Sequence, residues 1–190
     1  MNLESLLDLV PDKSVDKTTT SKKFKRDVFE FFNKDEFKSL ECLEVGCKNG
    51  YSTLILTHLF KHVHGVNYDR TKEADDFLRS NGRENYTLYA QDVYKYGFPI
   101  TKSDVIFIDA IHTYKAVIKD IENSLNLKSE GKKYLIFDDI GLYGEVSAAV
   151  KECINHGLIS VEKRIGYDPL EPNGKHFLMD DFEGLICREV

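Results

Sequence analysis

The chain has few cysteines and no long apolar run, and each shortage excludes a class of protein. Its four cysteines form no C-x-x-C pair, so neither a zinc ribbon nor the disulfide framework of a secreted protein is indicated. No apolar run approaches the roughly 20 residues of a membrane span. The amino terminus, MNLESLLDLVPDKS, carries acids where a signal peptide has basic residues. We therefore expect a soluble, cytoplasmic protein with no membrane partner.

Positive charge is outnumbered by negative charge, with 26 lysines and arginines against 32 acidic residues. The formal net charge is -6, whereas a sequence-independent nucleic-acid binder needs a basic face that displaces phosphate counterions. The one basic run, KTTTSKKFKR at residues 17–26, is interpreted as a solvated arm that enters a helix. No nucleic-acid partner is predicted.

The 190 residues, 42% of them hydrophobic, suffice for one buried core. We predict a single domain over 1–190, with an arm at 1–21 and a core at 22–190. Short apolar runs alternate with helical segments, a pattern typical of β-α-β units around a parallel sheet. The predicted parallel strands are CLEV (42–45), HVHGV (62–66), YTLYA (86–90), DVIFI (104–108) and YLIF (134–137). Residues 159–165 and 182–190 predict an antiparallel pair at the end of the chain.

Helices are predicted where apolar residues recur every three or four positions. Val117, Ile121 and Leu125 form one such stripe, and a second runs from Val146 to Ile154. Both helices should therefore pack on the sheet. Ser21 is predicted to cap the opening helix of the core.

The stretch LEVGCKNGYS at residues 43–52 ends the first predicted strand and enters a loop. Gly46 and Gly50 allow a sharp turn and a close approach of ligand to backbone, at the strand end where open α/β sheets bind ligands. A dinucleotide site would need G-x-G-x-x-G, and Glu44 would repel a pyrophosphate. The ligand implied is a nucleoside with positive charge and no phosphates. An ordinary strand-to-helix turn is the alternative interpretation.

LEVGCKNGYS resembles the first motif of class I S-adenosylmethionine-dependent methyltransferases. Its GYS ending is most similar to the catechol and caffeoyl-CoA O-methyltransferases and their bacterial small-molecule relatives. The resemblance implies a Rossmann-like, doubly wound α/β fold, with a mostly parallel seven-stranded sheet and an antiparallel C-terminal hairpin. It implies S-adenosylmethionine as cofactor, its methionine end held by Glu44, Gly46 and Gly50, with Ser52 at its carboxylate.

The same resemblance assigns residues to the ribose and the adenine. The second strand of the family ends in an acid that binds the ribose hydroxyls, and here HGVNYDR places Asn67 at that position. Asn67 can accept a hydrogen bond through its amide oxygen but cannot form the charge-assisted pair of a carboxylate. The segment AQD nominates Gln91 and Asp92 beside the adenine.

Acids also follow two later strands. VIFIDAIHTY and YLIFDDIG place Asp109, Asp138 and Asp139 just beyond apolar runs. The strand order that the resemblance implies makes these strands neighbours, so their carboxylates should converge, and oxygen ligands of this kind favour Mg²⁺. In the O-methyltransferases that the chain resembles, such acids bind a divalent metal that holds the acceptor oxygens. Simple capping of helices or solvation of strand ends is the alternative interpretation.

His112 stands three residues past Asp109, where metal-dependent relatives often carry a lysine or a histidine as base. An imidazole with a pKa of about 6.5 could accept the proton of the acceptor at neutral pH. Asp109 and His112 are the predicted catalytic residues, and Asp109 is also counted as cofactor-binding. A loop histidine that hydrogen-bonds locally is the alternative.

The predicted function is magnesium-assisted, S-adenosylmethionine-dependent O-methylation of a small hydroxylated acceptor. A noncatalytic cofactor-binding protein on the same fold is one rival. A nicotinamide-dependent oxidoreductase is another, disfavoured by Glu44 and by the missing glycine motif. Acceptor specificity is assigned to the first twenty residues, the loop after Asp139 and the loop YDPLEPNGK (167–175). The acceptor site is either open or completed by another copy of the chain.

Overall fold

The computed structural model describes residues 2–168 and 182–190, and a seven-stranded mixed sheet forms its centre. The strands are β1 (Glu41–Val45), β2 (His62–Asn67), β3 (Tyr86–Ala90), β4 (Val105–Ile108), β5 (Tyr134–Phe137), β6 (Ile159–Ile165) and β7 (Gly184–Glu189). Their order across the sheet is β3-β2-β1-β4-β5-β7-β6. The first five run parallel, and β7 is antiparallel to both β5 and β6. The predicted fold class is thereby confirmed, including its antiparallel C-terminal pair.

Helices fill the connections and cover the sheet. They are α1 (Leu3–Asp8), α2 (Lys22–Phe32), α3 (Tyr51–Leu59), α4 (Lys72–Ser80), α5 (Val93–Tyr96), α6 (Tyr114–Asn126) and α7 (Gly144–Asn155). A short 3-10 turn spans Asp35–Phe37. In the ranges that the structure describes, no helix combines the length and the apolarity that a membrane crossing requires.

The central strands are apolar at every position because both of their faces are covered. Val105 and Phe107 pack into one hydrophobic cluster together with residues of α2 and α3. Ile106 and Ile108 point the other way, into a second cluster with residues of α6 and α7. Strands buried on both faces read as continuous apolar runs, which is why the strand predictions succeed here.

The predicted stripes lie on the inner faces of their helices. Val117 and Ile121 of α6 are buried, and Leu125 packs against the same cluster. The apolar stripe of α7 is buried as well, at Val146, Ala149, Val150 and Cys153. The four cysteines are free and buried.

The basic run at 17–26 differs from its interpretation as a solvated arm. Thr19, Thr20, Ser21 and Lys25 are all buried. The Lys25 ammonium donates to the Thr19 hydroxyl at 3.0 Å and to the Thr20 carbonyl at 2.5 Å. Burial lowers the pKa of Lys25 to about 8, although nearby carboxylates oppose this shift. The ammonium is thus held inside by local acceptors instead of by water.

The residues before this run also contribute to the core. Leu6, Leu7 and Val10 are buried in the same cluster as Phe24 and Val28 of α2. The boundary at residue 21 between arm and core, like the single domain itself, stays a prediction.

Ser21 joins the start of α2 to the start of β7. Its hydroxyl oxygen accepts a hydrogen bond from the Phe24 amide at 2.9 Å, as predicted for the cap. The same hydroxyl donates to Glu183 Oε2 at 2.5 Å, and the Ser21 amide donates to Oε1 at 2.8 Å. The fully buried Glu183 carboxylate is therefore satisfied largely by Ser21.

We predict that Ser21→Ala lowers the free energy of unfolding by about 2–3 kcal/mol, because it removes both the helix cap and a donor to a buried carboxylate. Urea denaturation measures the change. Ser14→Ala, at an exposed serine in the same part of the chain, is the control and should change stability by about 0.5 kcal/mol or less. Equal stabilities of the two variants would contradict this role for Ser21.

Candidate active site

A cavity of about 600 Å³ opens where β1, β2, β4 and β5 end. Seven of the predicted site residues line it: Gly46, Asn67, Gln91, Asp109, His112, Asp138 and Asp139. Glu44, Gly50, Ser52 and Asp92, also predicted, do not line it. Parallel strands bring their carboxyl ends to one edge of a sheet, so residues far apart in sequence share this cavity.

The glycines at the end of β1 are required by a close crossing of the chain. Gly46 has a φ of 102°, and a Cβ added there would lie 1.9 Å from the backbone oxygen of Asp109. Gly50 has a φ of 80°, and its added Cβ would lie 3.2 Å from Ala74. Gly46 therefore allows β1 and the end of β4 to approach, while its own backbone also forms part of the cavity wall.

The amino end of α3 has no side-chain cap. Its N-cap, Gly50, provides no side-chain hydrogen bond to the first turn. Uncapped amides at the positive end of a helix favour an anionic group such as a carboxylate. The hydroxyl of Ser52 lies 3.4 Å from that of Thr20, so this side chain faces the amino-terminal part of the chain and its predicted carboxylate contact stays a prediction.

Glu44 lies beneath the loop, outside the cavity lining. It is 1% exposed, and the Thr53 hydroxyl donates a hydrogen bond to its carboxylate. Burial raises the pKa of Glu44 to about 8. In this arrangement the side chain links β1 to α3, and its predicted contact with the methionine end stays a prediction.

The next strand ends supply amide groups. Asn67 donates through Nδ2 to the Arg70 carbonyl at 2.7 Å, which leaves its amide oxygen as an acceptor at the cavity. Gln91 donates through Nε2 to the Gly97 carbonyl at 2.8 Å. Asp92 caps α5 through its carboxylate, so it has a structural function whether or not it contacts adenine.

Sequence reasoning missed a tyrosine at this end of the cavity. Tyr94 lines the cavity, and its hydroxyl donates to the buried carboxylate of Asp120 at 2.9 Å. Burial raises the pKa of Asp120 to about 7. The pair fixes the tyrosine ring between α5 and α6. The sequence contains no local signal for it, because the two residues are 26 positions apart.

The predicted acids converge at the other end of the cavity. Ile108 of β4 and Phe137 of β5 are register partners, so Asp109 and Asp138 leave neighbouring strands side by side. One donor atom from each of Asp109, His112 and Asp139 lies within 4.8 Å of the others. Asp138 is 4% exposed, and its Oδ1 has no hydrogen-bond partner among the described residues.

Two cations already lie against these carboxylates. The Lys13 ammonium is 2.8 Å from Asp139 Oδ1, 3.4 Å from Asp138 Oδ2 and 3.6 Å from Glu183 Oε1. On the opposite side, His112 Nε2 is 3.0 Å from Asp139 Oδ2 and 3.7 Å from Asp109 Oδ1. Lys13 was also missed from sequence, since its partners lie about 125 residues away.

The charges shift one another's pKa values. Burial raises the pKa of Asp109 and of Asp138, whereas at Asp139 the adjacent His112 and Lys13 outweigh burial and lower it. Burial alone would lower the pKa of His112, but Asp109 and Asp139 raise it to about 10. The carboxylates thus favour the protonated form of the imidazole, and its role as the base stays a prediction.

Aromatic packing fixes the histidine ring. The His112 and Tyr143 rings stack with centroids 4.4 Å apart and planes inclined by 14°. Asp139 adopts a left-handed φ of 62°, which is costly for a residue other than glycine. Strain of this kind is retained where surrounding contacts hold the backbone, and here the contacts are those of Asp139 with Lys13 and His112.

A family model described as a methyltransferase domain matches residues 43–140, which is more than half of the chain. The matched range contains every predicted site residue from Glu44 to Asp139. The chain belongs to this methyltransferase family. The resemblance to class I S-adenosylmethionine-dependent methyltransferases, drawn from LEVGCKNGYS, is thereby confirmed.

Solved structures share the fold of this methyltransferase. The O-methyltransferase of tomaymycin synthesis from Streptomyces achromogenes, solved with S-adenosylmethionine, matches with a TM-score of 0.69 at 14% identity, over 99% of this chain and 88% of that one. An S-adenosylmethionine-dependent O-methyltransferase from Thermotoga maritima matches with a TM-score of 0.66 at 15% identity, over 97% and 71%.

A tRNA (m1A58) methyltransferase from Aquifex aeolicus matches equally well, with a TM-score of 0.68 at 16% identity, over 100% of this chain and 76% of that one. At these identities the likeness concerns the fold, which thus occurs with both O-methyltransferases and an RNA methyltransferase. No curated protein sequence matches this methyltransferase.

Gly46→Ala should lower the free energy of unfolding by at least about 3 kcal/mol, because the new Cβ overlaps the Asp109 carbonyl and the φ is unfavourable. Gly82→Ala is the matched control, since its φ is +67° and nothing lies within 4 Å of the added Cβ. It should lose about 1 kcal/mol. Thermal unfolding compares the two, and equal losses would show that the crossing over Asp109 is not the constraint.

Proposed function

We propose that this methyltransferase transfers the methyl group of S-adenosylmethionine to a hydroxyl oxygen of a small acceptor, assisted by a divalent cation. The observation that carries the proposal is that one cavity contains two chemically different ends. At one end Asn67 and Gln91 supply amide groups, next to the oppositely charged Asp69 and Arg70. The other end is strongly acidic, because three carboxylates lie where β4 and β5 end: Asp109, Asp138 and Asp139.

The end of the cavity with Asn67 and Gln91 fits S-adenosylmethionine. The uncapped amides of α3 suit the carboxylate of its methionine part. The free amide oxygen of Asn67 offers an acceptor to a ribose hydroxyl, although without the charge of the family's usual acid. Gly46 also lines the cavity, and because it has no side chain a ligand can approach its backbone there.

The acidic end fits a hard divalent cation. A nearly fully buried carboxylate oxygen of Asp138 has no partner among the described residues, and the donor atoms of Asp109 and Asp139 are close enough to share one ion. Their oxygens favour Mg²⁺ over zinc. Asp109, Asp138 and Asp139 are therefore the proposed ligands.

In the proposed reaction the sulfonium would supply the methyl group, and the bound cation would lower the pKa of the acceptor hydroxyl. The residues of the chain mainly orient the reactants, because methyl transfer is an in-line displacement that depends on alignment. His112 is fixed at the cavity wall by Tyr143 and lies beside Asp109. From that position its neutral form is the proposed acceptor of the hydroxyl proton. That form would arise when a divalent cation replaces the imidazolium at Asp109 and Asp139 and the imidazolium releases its proton to solvent.

A small, ring-containing acceptor suits the surroundings of the acids. Ile111 and Tyr143 line the cavity next to His112 and remain 47% and 41% exposed. They offer apolar and aromatic surface at the rim, while Asp109 and Asp139 lie below it. A catechol-like phenol or a sugar combines hydroxyls with a ring in the way this surface requires. Part of the loop 167–175, predicted to contribute to specificity, lies outside the described residues.

Calorimetric titration with S-adenosylhomocysteine, with and without Mg²⁺, tests the two halves of the proposal separately. The wild type should bind the nucleoside and should not bind NADH. Asp138→Asn should retain nucleoside affinity within about threefold and should bind Mg²⁺ at least about tenfold more weakly, because it loses a charged ligand.

Asp69→Asn is the control for general charge, since Asp69 lines the same cavity but lies away from the acids, beside Arg70. Its Mg²⁺ affinity should equal that of the wild type. Failure to bind S-adenosylhomocysteine would overturn the methyl transfer. Nucleoside binding with no Mg²⁺ binding would overturn only the metal assistance.

A further inference from the structure

The contact of Lys13 with the acidic end of the cavity has a consequence for metal binding. Its ammonium lies within 3.6 Å of three buried carboxylates, those of Asp138, Asp139 and Glu183. The lysine therefore supplies positive charge to the carboxylates of Asp138 and Asp139, which a divalent cation would also bind.

Lys13 belongs to a short segment, residues 11–18, which we call the N-terminal segment. Both of its ends are anchored. Val10 precedes it in the hydrophobic core, and the buried Thr19 follows it, held by the ammonium of Lys25 at 3.0 Å. Lys13, Lys17 and Thr18 of the segment line the cavity.

Between these anchors the segment is built from local turns. The Asp12 carbonyl accepts from the amides of Val15 and Asp16, each at 2.9 Å. Asp16 Oδ1 accepts from the Thr18 amide at 2.9 Å. Ser14, Val15, Lys17 and Thr18 are exposed. The segment thus has little core of its own, and the buried ion pairs of Lys13 are strong contacts between it and the ends of β4 and β5.

We infer that Lys13 is an internal competitor of the divalent cation, so that metal binding displaces its ammonium and releases the N-terminal segment from the acidic end of the cavity. The inference rests on the proposed metal site. Lys13 contacts Asp138 Oδ2 and Asp139 Oδ1, and a divalent cation would bind the same two carboxylates. At such short distance the two positive charges repel, so each weakens the binding of the other.

The coupling is reciprocal. If the ammonium weakens metal binding, then the metal weakens the ion pairs of Lys13 by the same factor. Without metal, Lys13 neutralises carboxylates that would otherwise be buried as uncompensated charges. With metal, the segment that lines the acceptor side of the cavity is free to move. Metal binding would then also open the site to the acceptor.

Titration of the full chain with Mn²⁺, with free ion measured by electron paramagnetic resonance, tests the competition without an activity assay. Lys13→Met should bind Mn²⁺ about tenfold more tightly than the wild type, because the competing charge is gone. Lys13→Arg retains the charge and should bind as the wild type does. Lys17→Met, which removes a lysine of the same segment and the same cavity, should also bind as the wild type does.

Hydrogen exchange of the wild type supplies a second measurement that needs no variant. Saturating Mg²⁺ should accelerate exchange of the amides of Val15, Asp16 and Thr18 and leave those of α6 unchanged. Equal Mn²⁺ affinity of Lys13→Met and wild type, or unchanged exchange in the segment, would overturn the inference. If no variant bound Mn²⁺ while S-adenosylhomocysteine still bound, the inference and the metal assistance would both fall, and methyl transfer would stand.

Discussion

Three carboxylates carried to the ends of two neighbouring strands require positive charge among them. The register of β4 with β5 fixes Asp109 beside Asp138, and Asp139 follows at once in a left-handed conformation. Buried carboxylates at this separation cannot all be ionised without compensation. The positions of His112 and Lys13 both follow from that requirement. So does the path of residues 11–18, which brings an ammonium from the amino-terminal part of the chain across the cavity.

The other end of the cavity obeys a different constraint, which is the approach of two backbones. Gly46 allows the end of β1 to pass the Asp109 carbonyl, so the glycine turn and the first acid of the cluster are parts of one contact. Behind the turn, Glu44 links β1 to α3 by accepting a hydrogen bond from the Thr53 hydroxyl. The cofactor end and the acidic end are therefore mechanically connected. A substitution at Gly46 would displace the backbone of Asp109 and so move its carboxylate, even if it left every predicted cofactor contact in place.

Most of the fold could be predicted because its signals are local. Strands buried on both faces are continuous apolar runs, and those at Tyr86–Ala90, Tyr134–Phe137 and Ile159–Ile165 begin and end where the sequence predicts. The cap at Ser21 is equally local. The convergence of the acids needed one further element, the strand order implied by the resemblance.

Lys13 could not be predicted, since its ion pairs join positions about 125 residues apart and a single lysine in a polar run carries no sign of them. The burial of Lys25 was missed for a different reason. Its acceptors, Thr19 and Thr20, are close in sequence, but they lie in a polar run that gives no sign of burial.

We propose that the acidic end of the cavity binds a divalent cation in the place that Lys13 approaches. Anomalous diffraction from crystals grown with Mn²⁺ and S-adenosylhomocysteine would locate this ion. We expect a manganese peak among Asp109, Asp138 and Asp139, with the Lys13 ammonium withdrawn from its 2.8 Å contact with Asp139. A cavity that contains the nucleoside, shows no manganese peak and keeps Lys13 against Asp139 would contradict it.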